Sequence, residues 1–245
     1  MTSADEGRAA IAQWSQMDPA AVAALDPEGD FVKRHLLNPA VLDLLGDLKG
    51  RRVLDAGSGQ GYFSRMLAAR GALVTALESA GSLHEHSVRM ERSLRQGVEH
   101  RRADLTEVEL EPEFDAVVAN MVFLSIPDWI PALRSCLQAL RPGGRLVFAV
   151  EHPCFETAEN RWAEAGYLAL GDYFRERPMA RPVATDHHRT LSTYLNALIE
   201  HGCHLERIAE PRLSEELARD TSDGQDRRSP AHVPVLLVVN ARRDS

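Results

Sequence analysis

The stretch Arg52-Val53-Leu54-Asp55-Ala56-Gly57-Ser58-Gly59-Gln60-Gly61-Tyr62 constrains the fold more than any other part of this 245-residue chain. An apolar pair, Val53-Leu54, runs into three alternating glycines, and a helix-like segment follows. That order reads as a buried parallel strand, a tight turn and a helix N-terminus. Glycine lets backbone come close to a ligand because no Cβ intervenes. A helix start adds free N–H groups and a partial positive charge. The loop is therefore expected to hold a ligand, and its residues narrow the choice. A phosphate-binding P-loop would end in Gly-Lys-Ser/Thr, which does not follow Gly61. The dinucleotide pattern needs a glycine where Tyr62 stands. The pattern present is Asp-x-Gly-x-Gly-x-Gly. A carboxylate at its mouth, Asp55, suits a ligand bearing an ammonium group better than one bearing a pyrophosphate.

Downstream, strands and helices alternate. Strands are expected at Arg52–Ala56, Leu73–Leu77, Val98–Arg102, Phe114–Ala119 and Arg145–Val150. Between them lie helical stretches: Phe63, Met66 and Leu67 share one face, as do Leu133, Leu137 and Leu140. Ser82 to Glu85 reads as a capping box, Asn38-Pro39 as a helix start and Asp128 as an N-cap. Such alternation implies a doubly wound, mostly parallel α/β sheet. After residue 150 the pattern changes. A helix over Thr190–His201 leads to two strands, Leu205–Ala209 and Val235–Val239, with no full helix between them. Open sheets of this kind bind ligands at the carboxyl ends of their strands. Glu78 ends strand two, 23 positions after Asp55, where an acid accepts hydrogen bonds from ribose hydroxyls in related βαβ sites. Asp104 follows strand three and reads either as a ligand contact or as a cap for the turn at Thr106. Asn120-Met121 follows strand four, and Met121 offers a soft apolar surface.

The Asp55-to-Gly61 loop, with Glu78, Asp104 and Asn120-Met121 at successive strand ends, resembles the class I S-adenosylmethionine-dependent methyltransferases over roughly residues 30–210. The resemblance implies a seven-stranded sheet in which the last strand inserts antiparallel beside the penultimate one. It implies S-adenosylmethionine as cofactor, with S-adenosylhomocysteine as product. The loop Asp55, Gly57, Ser58, Gly59, Gly61 would wrap the methionine part, and Glu78 the ribose. Asp104 would meet the adenine amine and the Leu105 N–H a ring nitrogen, while the carbonyl at Asn120-Met121 would receive the methionine amine. Arg34-His35-Leu36-Leu37, His152-Pro153-Cys154-Phe155 and Leu191 to Leu198 are similar to a bacterial group within the ubiquinone-methylase-like (type 11 small-molecule) methyltransferases. Such enzymes decorate metabolites, so the resemblance suggests an O, N or C nucleophile of a natural product or other secondary metabolite.

Phe155, Trp162, Tyr167, Tyr173 and Phe174 are five of the chain's fourteen aromatics within one short segment. They are expected to form a substrate lid or pocket wall, or else a small satellite core. Methyl transfer to an activated cofactor asks the protein mainly to align the nucleophile and take a proton. His152, after strand five, is the first candidate base, His188 the second, and Asp172 or Tyr173 the third; His152-Pro153 also reads as a plain strand-ending turn. The expected organisation is N-terminal helices over residues 1–48 as a cap over the cofactor, a core over 49–153, a lid over 154–188, and a last helix with two strands over 189–245.

Composition excludes several classes. With 28 Lys and Arg against 36 Asp and Glu, the net charge is −8, which disfavours a nucleic-acid partner. Cys136, Cys154 and Cys203 are isolated, as expected of reduced thiols in a cytoplasm rather than a disulfide frame or a zinc site. His84/His86 and His201/His204 have metal-pair spacing without a carboxylate or cysteine partner pattern, so no metal is expected. Arg227-Arg228 reads as solvated. No stretch approaches the ~20 apolar residues of a membrane span, and the first ten residues lack a signal-peptide core. The rivals to a small-molecule enzyme are a methyltransferase of protein or nucleic acid and a non-methylating cofactor-binding relative. Neither the acceptor atom nor the oligomeric state, monomer or homodimer, follows from the residues.

Overall fold

The computed structural model describes residues 3–25, 28–156, 159–160, 162–219 and 229–244; the side chains of 3–4, 156, 159–160 and 162–163 are also outside the description. Seven strands form one sheet: β1 (Arg52–Ala56), β2 (Leu73–Leu77), β3 (Glu99–Arg101), β4 (Phe114–Asn120), β5 (Leu140–Glu151), β6 (Cys203–Ala209) and β7 (Leu236–Arg243). Their spatial order is β6-β7-β5-β4-β1-β2-β3. Strands β1 to β5 pair with one another in parallel, and β7 runs antiparallel between β5 and β6. The α/β class, the parallel core and the inserted last strand are those anticipated from the alternation and the resemblance. β1 lies beside β2 and β4, so the chain reverses direction across the sheet at β1. This reversal opens the crevice at the carboxyl edge that such sheets use.

The helices that matter to this edge are α1 (Ser3–Ser15), α2 (Pro19–Ala23), α3 (Asn38–Leu45), α4 (Tyr62–Ala68), α5 (Gly81–Leu94), α6 (Ile130–Ala139) and α7 (Leu191–Glu200). The two faces of the sheet bury separate cores. One holds Leu54, Val117, Phe148, Leu133, Leu137 and Tyr194, against α6 and α7. The other holds Val53, Val118, Phe63, Leu67, Val41 and Leu45, against α3 and α4. Each fully buried Leu or Phe of this kind contributes about 2 kcal/mol on removal from water. A third, small cluster joins Val22, Ala80 and Leu83 to Trp14 and Met17, which fastens α1 and α2 to the start of α5.

Local details depart from expectation at the helix starts. Asn38 is not an N-cap: a π-helical turn, Lys33–Leu37, feeds directly into α3, and the Asn38 side chain accepts from Tyr62 Oη at 3.1 Å instead. The Ser82 capping box does not form, because α5 begins one residue earlier and Ser82 Oγ donates to the Trp14 carbonyl at 3.2 Å. α6 starts at Ile130 with Trp129 as its N-cap residue, not Asp128. Thr190 does cap α7, its side chain accepting from Thr193 N. Strand β5 runs back through Pro142-Gly143-Gly144 to Leu140, with an irregular register against Phe114 and Ala116. Glu215–Arg219 is helical, whereas Arg227 and Arg228 lie outside the described residues.

Candidate active site

The glycine loop leaves β1 and is pinned to the end of β2. The Leu77 carbonyl accepts from both Gly57 N (2.8 Å) and Ser58 N (3.0 Å). All three loop glycines have positive φ: 72° at Gly57, 57° at Gly59 and 80° at Gly61. L side chains rarely adopt that conformation, so the turn needs glycine. Gly57 is also sterically confined, since a Cβ there would stand 2.7 Å from Val122 Cγ2 and 2.8 Å from Val122 Cγ1.

Above the loop lies a cavity of about 460 Å³. Its floor is Gly57, Ser58, Gly59, Glu78, Asn120 and Met121; Asp104 and Leu105 add a third strand end. Eight of the ten residues expected to hold a cofactor therefore share one cavity, assembled from the ends of β1, β2, β3 and β4. The roof is α1, through Gly7, Ala10, Ile11 and Trp14, with Met17 beyond it. Three hydrogen bonds hold this roof: Ser82 Oγ to the Trp14 carbonyl, Gly81 N to Ser15 Oγ (3.1 Å) and Thr185 N to Gln13 Oε1 (2.9 Å). α1 carries only a modest apolar stripe because the surface it covers is a cavity, not a packed core.

Glu78 is buried and oriented by backbone donors. Its Oε2 accepts from Gly59 N and its Oε1 from Ala80 N, each at 2.7 Å. Burial raises its pKa, and the N–H donors partly offset this. Each carboxylate oxygen keeps capacity for a further donor such as a ribose hydroxyl. Met121 has a φ of 61°, which turns the chain sharply as β4 ends; its N–H remains bonded to the Ala149 carbonyl at 2.9 Å. Two polar atoms in the cavity wall, Ser58 Oγ and Asn120 Oδ1, are buried without a hydrogen-bond partner. Such atoms are costly unless a ligand or water satisfies them. An adenosyl amino acid fits this wall: it brings hydroxyls for Glu78, donors for the orphaned oxygens and a flat base for Met121 and Leu105.

Asp104 is placed at the cavity and also caps the turn at Thr106. Its Oδ1 accepts from Thr106 N and Thr106 Oγ1, each at 2.8 Å. Asp55 and Gly61 are placed differently. Asp55 is 1% exposed and lies under the loop rather than at its mouth, where it accepts from Ser64 Oγ on α4 at 2.5 Å. Burial, with the charge of Glu78 adding to it and the Ser64 hydrogen bond opposing, lifts its pKa from 3.8 to about 6. Gly61 packs below the cavity, where a Cβ would stand 2.9 Å from Ser87 Cβ.

Among the described side chains, neither the expected bases nor the lid aromatics line the cavity. His152 ends β5 on the far side from β1. Its Nδ1 accepts from Cys154 N at 3.2 Å, which leaves the proton on Nε2, 3.0 Å from Glu210 Oε1. Burial lowers its pKa, opposed by Glu210. His188 is fully buried and donates from Nε2 to the Tyr173 carbonyl at 2.7 Å. Tyr173 in turn accepts from Leu191 N at 2.9 Å, and Asp172 sits 3.9 Å from both Arg175 and Arg177. Phe155 packs against the α3/α4 core, while Tyr167 is half exposed and Phe174 is 88% exposed. The Trp162 side chain lies outside the described residues. Among the described residues of the insertion, Val183 alone lines the cavity.

Composition and periodicity did not single out several residues that do line it. Lys33 and Asp30 form an ion pair at 2.9 Å. Tyr62, the residue after the third glycine, meets both Asn38 and Asn120, and burial holds its phenol well above the ordinary range. Ser125 lines the cavity as well. Among the described residues, no three His, Cys, Asp or Glu side chains are grouped to hold a metal ion, and no helix is long and apolar enough to cross a membrane.

Residues 31–202 match the family model described as a methyltransferase domain. Among curated proteins, the chain is similar to the ubiquinone biosynthesis O-methyltransferases of Alkalilimnicola ehrlichii (34% identical, covering 55% of this chain and 57% of the relative) and Bordetella bronchiseptica (31%, 61% and 66%). It thus spans less than two thirds of the length of each. Among solved structures it resembles an S-adenosylmethionine-dependent methyltransferase from Mesorhizobium loti, at 27% identity and a TM-score of 0.75, over 89% of this chain and all of that one. A sheet that reverses at its glycine-bearing first strand, a ligand cavity at that point and a family match over residues 31–202 converge on one conclusion: this chain belongs to the methyltransferase-domain family of class I S-adenosylmethionine-dependent methyltransferases.

Proposed function

We propose that the chain transfers a methyl group from S-adenosylmethionine to a small molecule bound between the glycine loop and α1. The observation that carries this is the shape of the cavity. Its floor presents polar groups suited to an adenosyl amino acid, and its roof of Ile11, Trp14 and Met17 with Ile126 and Pro127 offers an apolar space beside them. A volume of about 460 Å³ lies in the range of small-molecule sites, and a roofed cavity suits a metabolite better than a protein or a nucleic acid. The acidic net charge of −8 points the same way.

Within this reading Glu78 holds the ribose, Asp104 and the Leu105 N–H meet adenine, and the backbone at Asn120-Met121 receives the methionine amine. Lys33 faces the same cavity and would neutralise the methionine carboxylate. The bound cofactor supplies an activated methyl group. The chain's contribution is to orient the acceptor, exclude water under α1 and provide a route for the acceptor's proton. The curated relatives named above are O-methyltransferases of ubiquinone biosynthesis, which supports an apolar acceptor of metabolite size. A secondary metabolite remains the acceptor class suggested by the resemblance.

Calorimetry with S-adenosylhomocysteine tests the cofactor half: micromolar binding is expected, and its absence overturns the reading. Incubation with methyl-labelled S-adenosylmethionine and a metabolite panel tests the transfer half. Label found only in protein or nucleic acid would transfer the assignment to those classes, and cofactor binding without transfer to any acceptor would favour a non-methylating relative.

A further inference from the structure

Ser125, on the cavity wall, carries a hydroxyl with a carboxylate of the insertion behind it. The Ser125 Oγ donates to Asp186 Oδ1 at 2.7 Å. Asp186 comes from the far end of the insertion, in the strand Thr185–His188. Its other oxygen, Oδ2, lies 3.4 Å from Arg181 Nε, and Arg181 also pairs with Glu151. The short helical turn that carries Ser125, Phe123–Ser125, is gripped from below. The buried guanidinium of Arg189 donates to the carbonyls of Phe123 (2.9 Å), Ile126 (2.6 Å) and Pro127 (2.8 Å), which bracket Ser125 on both sides. That guanidinium also lies over the Trp129 ring. His187 Nδ1 lies 3.3 Å from the Leu124 carbonyl. A serine hydroxyl is otherwise free to rotate; here its proton is committed to Asp186, and its lone pairs are left for a donor in the cavity.

We propose that Ser125 is a catalytic residue that receives the proton of a hydroxyl acceptor and relays its own to Asp186, which makes the acceptor an alcohol or phenol with an apolar body. This rests on the methyl-transfer reading above. In the step, a lone pair of the acceptor oxygen forms the new bond to the methyl carbon as the methyl–sulfur bond breaks and its electron pair returns to sulfur. The proton on that oxygen passes to Ser125 Oγ, and the Ser125 proton passes to Asp186 Oδ1, from which solvent removes it. Asp186 touches no substrate and acts as a positioning residue and proton sink. Arg189 and Arg181 hold the two members in register, the preorganisation that proton transfer requires.

The test is methyl transfer from labelled S-adenosylmethionine to alkyl-substituted phenols and to 4-nitrophenol, at a pH where only the latter is ionised. Wild-type protein is expected to methylate phenolic oxygen. Ser125→Ala and Asp186→Asn should lower kcat by ~10²-fold or more with the alkylphenols, the usual size of a lost acid–base contribution. The deficit should shrink to a few-fold with 4-nitrophenolate, which has no proton to give up, and Ser125→Thr should restore most of the rate. S-adenosylhomocysteine affinity should stay at the wild-type level in all three variants. Equal losses with both kinds of phenol would reduce Ser125 to a structural role and overturn the proposal. So would wild-type protein that binds S-adenosylhomocysteine and methylates none of the phenols. Wild-type protein that fails to bind S-adenosylhomocysteine would instead overturn the functional reading on which the proposal rests.

Discussion

The Gly59 N–H donates to Glu78 Oε2 at 2.7 Å, so the middle of the glycine loop and the acid that ends β2 are one unit. The bond spans the junction of two parallel strands, and it fixes the carboxylate where a ribose between loop and strand would meet it. Glu78→Ala removes the carboxylate and leaves Gly59 N without its acceptor. A charge-assisted hydrogen-bonded pair of this kind is worth about 1.5–3 kcal/mol. Affinity for S-adenosylhomocysteine should fall by about 10- to 100-fold in calorimetry. Glu78→Asp should lose nearly as much, because the shorter side chain cannot span to the loop. Wild-type affinity in both variants would remove Glu78 from the site.

Gly57 yields a second test because its constraint has two parts. Its φ of 72° disfavours any side chain, and an added Cβ would press on both γ-carbons of Val122. Gly57→Ala should therefore weaken cofactor-product binding by ~10-fold or more. Trimming the neighbour in Gly57→Ala/Val122→Ala should return part of that loss, since the steric part is relieved while the backbone strain of about 1–2 kcal/mol remains. Gly59→Ala meets no atom within 4 Å and should cost only the conformational part. Melting curves with and without S-adenosylhomocysteine would separate damage to the fold from damage to the site.

The parts of this molecule that declared themselves in the sequence are those where one residue type answers one backbone demand. Three glycines at positive φ, Val53-Leu54 between two cores and an acid at the end of β2 each have few substitutes. For the roof, the sequence offers a cap of N-terminal helices over residues 1–48 but not the side chains that line the cavity, because α1 covers a ligand space and so needs no deep apolar stripe to mark Ile11, Trp14 and Met17. The aromatic cluster misled for the converse reason. Clustering reports apolar area, not where that area points, and Phe155 and Tyr173 face the protein's own core and helix α7 while Phe174 faces solvent. His152 stands at a strand end, as a catalytic base would, but β5 ends beside β7 and Glu210, two strands from the glycine loop. Asp55 also reads differently once folded. Its side chain falls on the helix side of β1, toward Ser64, so it supports the loop from below.

His152 gives a prediction opposite to its place in the sequence. It is buried outside the cavity, its Nδ1 is committed to Cys154 N, and its Nε2 proton faces Glu210. Once an acceptor is in hand, His152→Ala should leave kcat within about 3-fold of wild type, because the side chain is turned to Cys154 and Glu210 and does not line the cavity. The same change should lower stability by about 1–3 kcal/mol, the cost of truncating a buried hydrogen-bonded side chain. A loss of ~10²-fold in kcat at unchanged stability would restore it as the base.

Asp55 supplies a pH prediction with a definite sign. Its carboxyl has an ordinary pKa of 3.8, and burial in the folded chain raises this to about 6. The folded state therefore holds the proton over a range where the unfolded chain has released it. Below pH 4 both states are protonated and the group contributes nothing to the pH dependence. As pH rises from about 4 to about 6, ionisation favours the unfolded chain, and above pH 6 the penalty is complete at roughly 3 kcal/mol, at 1.36 kcal/mol per unit. Asp55→Asn keeps the shape and an acceptor for Ser64 Oγ without the charge. Its stability relative to wild type, measured by urea unfolding, should improve steadily from pH 4 to pH 6 and level off above that. A difference that is flat across this range, or that moves the other way, would mean that Asp55 is ionised under the loop and balanced by a positive charge that Ser64 does not provide.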